Sequence, residues 1–265
     1  MRRFSFALAG AIALAAIGPN VLAHEAGAEE HAATDPVAAI AAAVAAPDRP
    51  TDARELDESR KPAEVLAFLG LEPGMTAADL LTGTGYWAEI MAHVVGLEGK
   101  VVAYQPSQFY TDGDSKAAWS ALEARAPEVS ESRYPFDEFA PPAETLDFAI
   151  INLSYHDIYW TSERYKIPTT NPAAYVTALY AGMKPGGVVG VIDHVGEGSE
   201  TRELVDALHR IDPAVVRADF EAAGFVLEDT SDLLANPEDD HTKLVFDPTI
   251  RGKTDRFLFK FVKPR

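Results

Sequence analysis

The stretch Pro73-Gly74-Met75-Thr76-Ala77-Ala78-Asp79-Leu80-Leu81-Thr82-Gly83-Thr84-Gly85-Tyr86-Trp87 reads as a buried strand, a glycine turn and the first turn of a helix. Glycine at positions 83 and 85 lets backbone N–H groups come close to a ligand, and the helix that follows aims its positive N-terminal end at the same place. This is the outline of a nucleotide-cofactor site. Tyr86 and Trp87 suit either the wall of a small apolar pocket or the core.

Working outward, strand and helix patterns alternate as a parallel sheet with crossover helices requires. Strands are read at 77–81, 100–105, 146–152 and 187–193, and helices at 86–95, 115–125, 172–183 and 213–223. Two further strands, 225–229 and 255–261, close the sheet, the latter with Phe257, Phe259 and Phe261 alternating. Pro185-Gly186-Gly187 marks a helix stop before an apolar strand. The polar segment 233–253, with Asp239, Asp240 and His241, is long enough to cover a site. Ahead of the first strand, Pro62 signals the start of a helix that packs on the sheet.

At the N-terminus, Arg2 and Arg3 precede an apolar run from Phe4 to Ile17 and a small-residue end at Ala23. This predicts a signal peptide over 1–23, with export to the periplasm or beyond. The apolar run is shorter than the ~20 residues of a membrane span, so no stable membrane insertion is expected after cleavage. Residues 24–52, rich in Ala, Glu and Pro, read as a flexible leader with a loose helix near 37–46, leaving 53–265 as one folded domain. The chain has no cysteine, which removes disulfides, a lipoprotein anchor and thiolate metal sites. Its formal net charge is −18 at pH 7, and loss of Arg2 and Arg3 takes it to −20. A nucleic-acid partner is excluded on that ground, since no basic stripe stands ready to neutralise phosphates. A small-molecule or protein partner is expected.

Three local signatures, Asp79-Leu80-Leu81-Thr82-Gly83-Thr84-Gly85, Asn152-Leu153-Ser154-Tyr155-His156-Asp157 and Lys184-Pro185-Gly186-Gly187, resemble those of the class I S-adenosylmethionine-dependent methyltransferases, and more closely a group of exported bacterial members. The resemblance runs from about residue 60 to 263. It implies an α/β fold with a Rossmann-like, seven-stranded, mostly parallel sheet and helices on both faces. It also implies S-adenosylmethionine as cofactor, with contacts from Asp79, Thr82, Gly83 and Gly85, to which Gln105 and Asn152 are added from the ends of neighbouring strands. The chain departs from the family at two points. Leu81 stands where glycine is usual, and Gln105 stands where an acid usually accepts both ribose hydroxyls.

Ligands of open parallel sheets sit at the carboxyl ends of the strands, where Asn152, Tyr155, His156 and Asp157 fall. His156 is the candidate base for an OH or NH acceptor, Tyr155 and Asn152 orient that acceptor, and Asp193 at the end of the next strand lines its pocket. Arg60, Lys61, Arg251, Lys253 and Arg256 are the cations suited to an internal carboxylate or a substrate anion. Polar clusters at His209–Asp212 and Asp239–His241 follow no helix-spaced ligand pair, so no metal centre is expected.

These residues predict methyl transfer to a small-molecule or protein acceptor. An alternative from another class is an exported, non-catalytic ligand-binding protein that keeps the methyltransferase fold. A third is a metal-dependent hydrolase that gathers His156, His209 and His241.

Overall fold

The computed structural model describes residues 35–110, 113–198 and 200–265, apart from the side chain of residue 114. The expected signal peptide and the first part of the leader lie outside them. Seven strands form one sheet: β1 (Thr76–Leu80), β2 (Lys100–Pro106), β3 (Val129–Tyr134), β4 (Leu146–Asn152), β5 (Met183–His194), β6 (Val226–Ser231) and β7 (Arg256–Val262). Their order is β3-β2-β1-β4-β5-β7-β6, with β7 antiparallel to both of its neighbours and every other pair parallel. The expected Rossmann-like α/β sheet is therefore the observed one.

The central strands are mostly apolar, on both faces, because helices cover both sides of the sheet. On one face, α1 (Pro36–Val44), α4 (Pro62–Leu69), α5 (Tyr86–Val95) and α6 (Gly113–Arg125) contribute Ile40, Leu66, Leu69, Ile90, Met91, Trp119 and Leu122 to one apolar layer. On the other, α7 (Pro172–Gly182) and α9 (Pro213–Ala223) contribute Tyr175, Val176, Leu179, Val216 and Phe220 to a second, where Phe220 stacks on Phe261 of β7 at 4.5 Å. Helices α2 (Thr51–Glu55), α3 (Asp57–Arg60) and α8 (Thr201–Leu208) complete the set. Among the described residues, no helix is long and apolar enough to cross a membrane.

Two expectations change. Residues 36–52 are not a loose leader: α1 is capped by Asp35 and buries Ile40 and Ala43 in the core. The buried Arg49 next to it holds Asp57 through two hydrogen bonds of 2.7 and 2.8 Å. The folded unit thus begins before Pro36, because the alanine-rich run hides an apolar stripe that only packing exposes. Strand β3 and helix α8 carry no residue range in the sequence reading. β3, at the sheet edge, buries only Val129 and Tyr134 well and leaves no clear apolar period, whereas α8 is amphipathic, with Leu204, Val205 and Leu208 on one side, but spans only about two turns.

Candidate active site

The glycine turn joins β1 to α5 with its backbone in the left-handed region at Leu81 (φ 48), Gly83 (φ 61) and Gly85 (φ 82). Gly85 suits its left-handed backbone, and an added Cβ there would stand 2.3 Å from Leu122 Cδ2, so that the leucine would have to move. An added Cβ at Gly83 would meet nothing within 4 Å, so space lies open above the turn. Leu81 adopts the backbone that glycine takes freely and sends its side chain into the second apolar layer, which explains how this chain tolerates leucine there. Asp79, buried at the end of β1, accepts from Thr82 Oγ1 at 2.6 Å and from the Ala88 N–H at 3.0 Å, tying the turn to the helix. Burial lifts its carboxyl to about 7, against the pull of those two donors and of the Arg60 charge.

Gln105 ends β2 with its amide oxygen accepting from the Gly83 N–H at 3.1 Å, and its side chain is buried. Its carbonyl thus braces the turn with one of its two lone pairs, and its amide N–H groups can donate to a ligand. Asn152 sits half-buried at the carboxyl end of β4.

The chain after β4 turns through a single 3-10 turn, His156–Ile158. Buried Asp193 of β5 accepts from the His156 backbone N–H and from its Nδ1, each at 2.8 Å, and from the His194 N–H. His156 Nε2 lies 3.5 Å from Asp157 Oδ1. Burial pulls the imidazole pKa down, but Asp193 and Asp157 outweigh it and bring it up to about 9. His156 therefore carries its proton at neutral pH and acts there as a cation, not as the free base expected from its ordinary range. His194 behaves in the opposite way: burial lowers it to about 3, and its Nδ1 meets Thr254 Oγ1 at 2.7 Å.

The structure places Tyr155 away from the cavity. Its ring is fully buried in the second apolar layer, and its hydroxyl donates to Asp219 of α9 at 2.7 Å, alongside Tyr159 at 2.6 Å. The alternation of side chains around the turn sends Tyr155 into the core and His156 toward the open side. Asp193 lies behind His156 and bonds it at two atoms, with no exposed surface of its own.

A cavity of about 500 Å³ opens at this end of the sheet, lined by Phe109, Leu153, Trp160, Tyr165, Val245 and Phe246, with His156, Asp157, His194 and His209 as its polar wall. Of the three histidines that the hydrolase alternative gathers, His209 does meet His156. It lies edge-on to His156, with ring centroids 5.4 Å apart, and between Trp160 and Phe246. His241 stands apart from them: its Nε2 meets Asp255 Oδ2 at 2.9 Å and its Nδ1 meets Glu197 Oε1 at 3.3 Å, so the three-histidine centre is not formed. The expected covering segment does reach the cavity through Val245 and Phe246. It is pinned by Arg210, a buried guanidinium that pairs with Asp239 at 2.9 Å and donates to the backbone carbonyls of Lys243 and Val195.

Of the basic candidates, Arg256 donates to the Ser59 carbonyl and Thr254, Lys61 donates to the Leu233 carbonyl, and Arg60 lies over the Tyr86 ring at 4.3 Å. Neither Arg60 nor Arg256 has a carboxylate ion pair among the described residues, and burial together with the Arg60 charge lowers Arg256 to about 10.

Residues 56–141, about a third of the chain, match the family model described as protein-L-isoaspartate(D-aspartate) O-methyltransferase. No curated protein matches the sequence. Among solved structures, a SAM-dependent methyltransferase from Aquifex aeolicus is 20% identical with a TM-score of 0.55, over 86% of this chain and 98% of that one. An S-adenosylmethionine-dependent methyltransferase from Mesorhizobium loti is 13% identical with a TM-score of 0.53, over 78% and 99%. The Burkholderia thailandensis 1,6-didemethyltoxoflavin-N1-methyltransferase, solved with 1,6-didemethyltoxoflavin and S-adenosylhomocysteine, is 17% identical with a TM-score of 0.50, over 81% and 80%. The strand order, the glycine turn after β1 and these likenesses together give this chain the fold of the class I S-adenosylmethionine-dependent methyltransferases.

Proposed function

We propose that the protein is an S-adenosylmethionine-dependent methyltransferase acting on a small acceptor that enters the cavity beside His156. The observation that carries this reading is the open glycine turn at Gly83, placed at the carboxyl end of β1 next to β4, whose own end leads through Leu153 into the 500 Å³ cavity. The residues fit the cofactor. Gly83 leaves room for a close approach, Gln105 keeps amide N–H donors at the ribose side, and the guanidinium of Arg60, which has no carboxylate ion pair among the described residues and is close enough to act on Asp79, suits a carboxylate. When bound, the cofactor supplies an electrophilic methyl group on a sulfonium, so the fold has mainly to align the acceptor and exclude water.

The acceptor's apolar body fits against Phe109, Leu153, Trp160 and Phe246. Its reacting oxygen or nitrogen lies toward His156. A protonated imidazole there favours the ionised acceptor, which is the nucleophilic form, so the group that Asp193 holds in place serves by its charge. Asn152 stands at the strand end between the two halves of the site. The match to an O-methyltransferase family over the cofactor half is in keeping with an oxygen acceptor. Export belongs to the same reading and is supported by Arg2, Arg3, the apolar run to Ile17 and the lack of cysteine; N-terminal sequencing of the mature protein should begin at His24.

Calorimetric titration with S-adenosylhomocysteine tests the reading. Binding that is lost in Gly83→Asp, whose carboxylate would occupy the open space, supports it. No heat from the wild-type protein at millimolar ligand would favour the non-catalytic binding protein instead.

A further inference from the structure

We propose that His156, Asp157 and His209 form a binding site for one divalent transition-metal ion of the zinc class, with a coordination position open to the cavity. One ligand atom from each of the three lies within 4.8 Å of the others. Asp157 Oδ1 is the common neighbour, 3.5 Å from His156 Nε2 and 3.8 Å from His209 Nδ1. Ligands bonded to tetrahedral zinc stand ~3.3 Å apart, so the two contacts to Asp157 are already near that spacing, and the imidazole nitrogens, within 4.8 Å of each other, close on the ion by side-chain rotation.

Three features set this cluster apart from a chance meeting of polar side chains. His156 Nδ1 is committed to Asp193, whose other oxygen is fixed by the His156 N–H, so the ring presents Nε2 forward with its orientation locked from behind. A carboxylate on the far nitrogen is the usual support of a metal-bound histidine. His209 Nδ1 is buried with no hydrogen-bond partner among the described residues, a state that a buried polar nitrogen avoids unless something else completes it. His209 also occupies a left-handed backbone position (φ 50) that ends α8, its N–H capping the Val205 carbonyl, where glycine would ordinarily serve. The side chain thus persists at a place where the backbone alone argues against it.

Two imidazoles and one carboxylate suit zinc, cobalt or iron(II) rather than magnesium or calcium, which prefer oxygen donors. Three protein ligands leave a coordination position free, as in catalytic zinc sites. That position faces Trp160 and Phe246, where an anionic oxygen of a cavity ligand would complete it. The site uses no residue of the glycine turn but shares His156 and the cavity with the acceptor side of the proposed reaction, where a bound ion would take the place of the imidazole proton as the positive charge.

The test is titration of the full-length, metal-stripped protein with zinc chloride at pH 7.5, followed by calorimetry and thermal melting, and then with cobalt(II) for its visible absorption. One zinc ion per chain should bind, with a rise in Tm and a cobalt spectrum of low coordination number. His209→Gly removes a ligand while supplying the residue that the φ of 50 favours, so it should fold and melt normally yet bind zinc at least about 100-fold more weakly. Asp157→Asn should weaken binding too, while His241→Gln, outside the cluster, should leave it unchanged. The proposal is overturned if wild-type protein binds no zinc at millimolar concentration, or if the same tight site persists in folded His209→Gly.

Discussion

Asp193 holds His156 at two atoms, accepting from the backbone N–H and from ring Nδ1 at the same 2.8 Å, so one buried carboxylate on β5 sets both the turn after β4 and the direction of the imidazole. This contact links two neighbouring parallel strands at their carboxyl ends and makes the polar wall of the cavity a rigid surface.

Replacing Asp193 by Asn removes the charge that favours the imidazolium and offers the ring a mixed donor and acceptor in its place. The His156 titration, near 9 in the wild-type protein, should move down when followed by NMR in Asp193→Asn. The methyl-transfer kcat should fall by about 10²-fold or more, because both the orientation and the charge facing the acceptor change. An unmoved titration with an undiminished kcat would show that Asp193 only packs.

His194 gives the fold an acid-sensitive group. Its folded pKa of about 3 lies below the ordinary 6.5, so the unfolded chain binds the extra proton between those values. Its contribution is complete above pH 6.5 and is lost as pH falls toward 3, by about 1.4 kcal/mol per pH unit. Urea unfolding at pH 7 and pH 5 should therefore show a smaller loss in His194→Gln than in wild type, by about 2 kcal/mol. Equal losses in both proteins would place the acid sensitivity elsewhere.

Leu81 sets a backbone preference against burial. Glycine would relieve the left-handed conformation by about 1 kcal/mol, but removing a side chain that is only 6% exposed costs about 2–5 kcal/mol. Burial wins, so Leu81→Gly should lower stability by about 1–4 kcal/mol in denaturant titration, although glycine is the residue the turn geometry prefers. A stabilised variant would mean that the leucine packs poorly.

The sheet was legible along the chain because its strands are either apolar on both faces, as in β1 and β4, or alternate, as the phenylalanines of β7 do. The glycine turn was legible because positive φ at 83 and 85 leaves few other residue choices. What stayed hidden were edge strand β3 and the packing of helix α1 within an alanine-rich run, which have little apolar period, and helix α8, which is amphipathic but only eight residues long.

By itself, then, the sequence determined the α/β layering, the place of the cofactor turn and the presence of His156 and Asp193 at neighbouring strand ends, since periodicity and glycine placement are local properties. Tertiary structure alone decided which polar groups meet. It turned Tyr155 inward to Asp219, committed the Gln105 oxygen to Gly83, and drew His209 rather than His241 to His156 across 53 residues of chain. The physical reason is that a side chain's chemistry depends on its partners and its burial, and packing brings those partners in from segments that no local pattern connects.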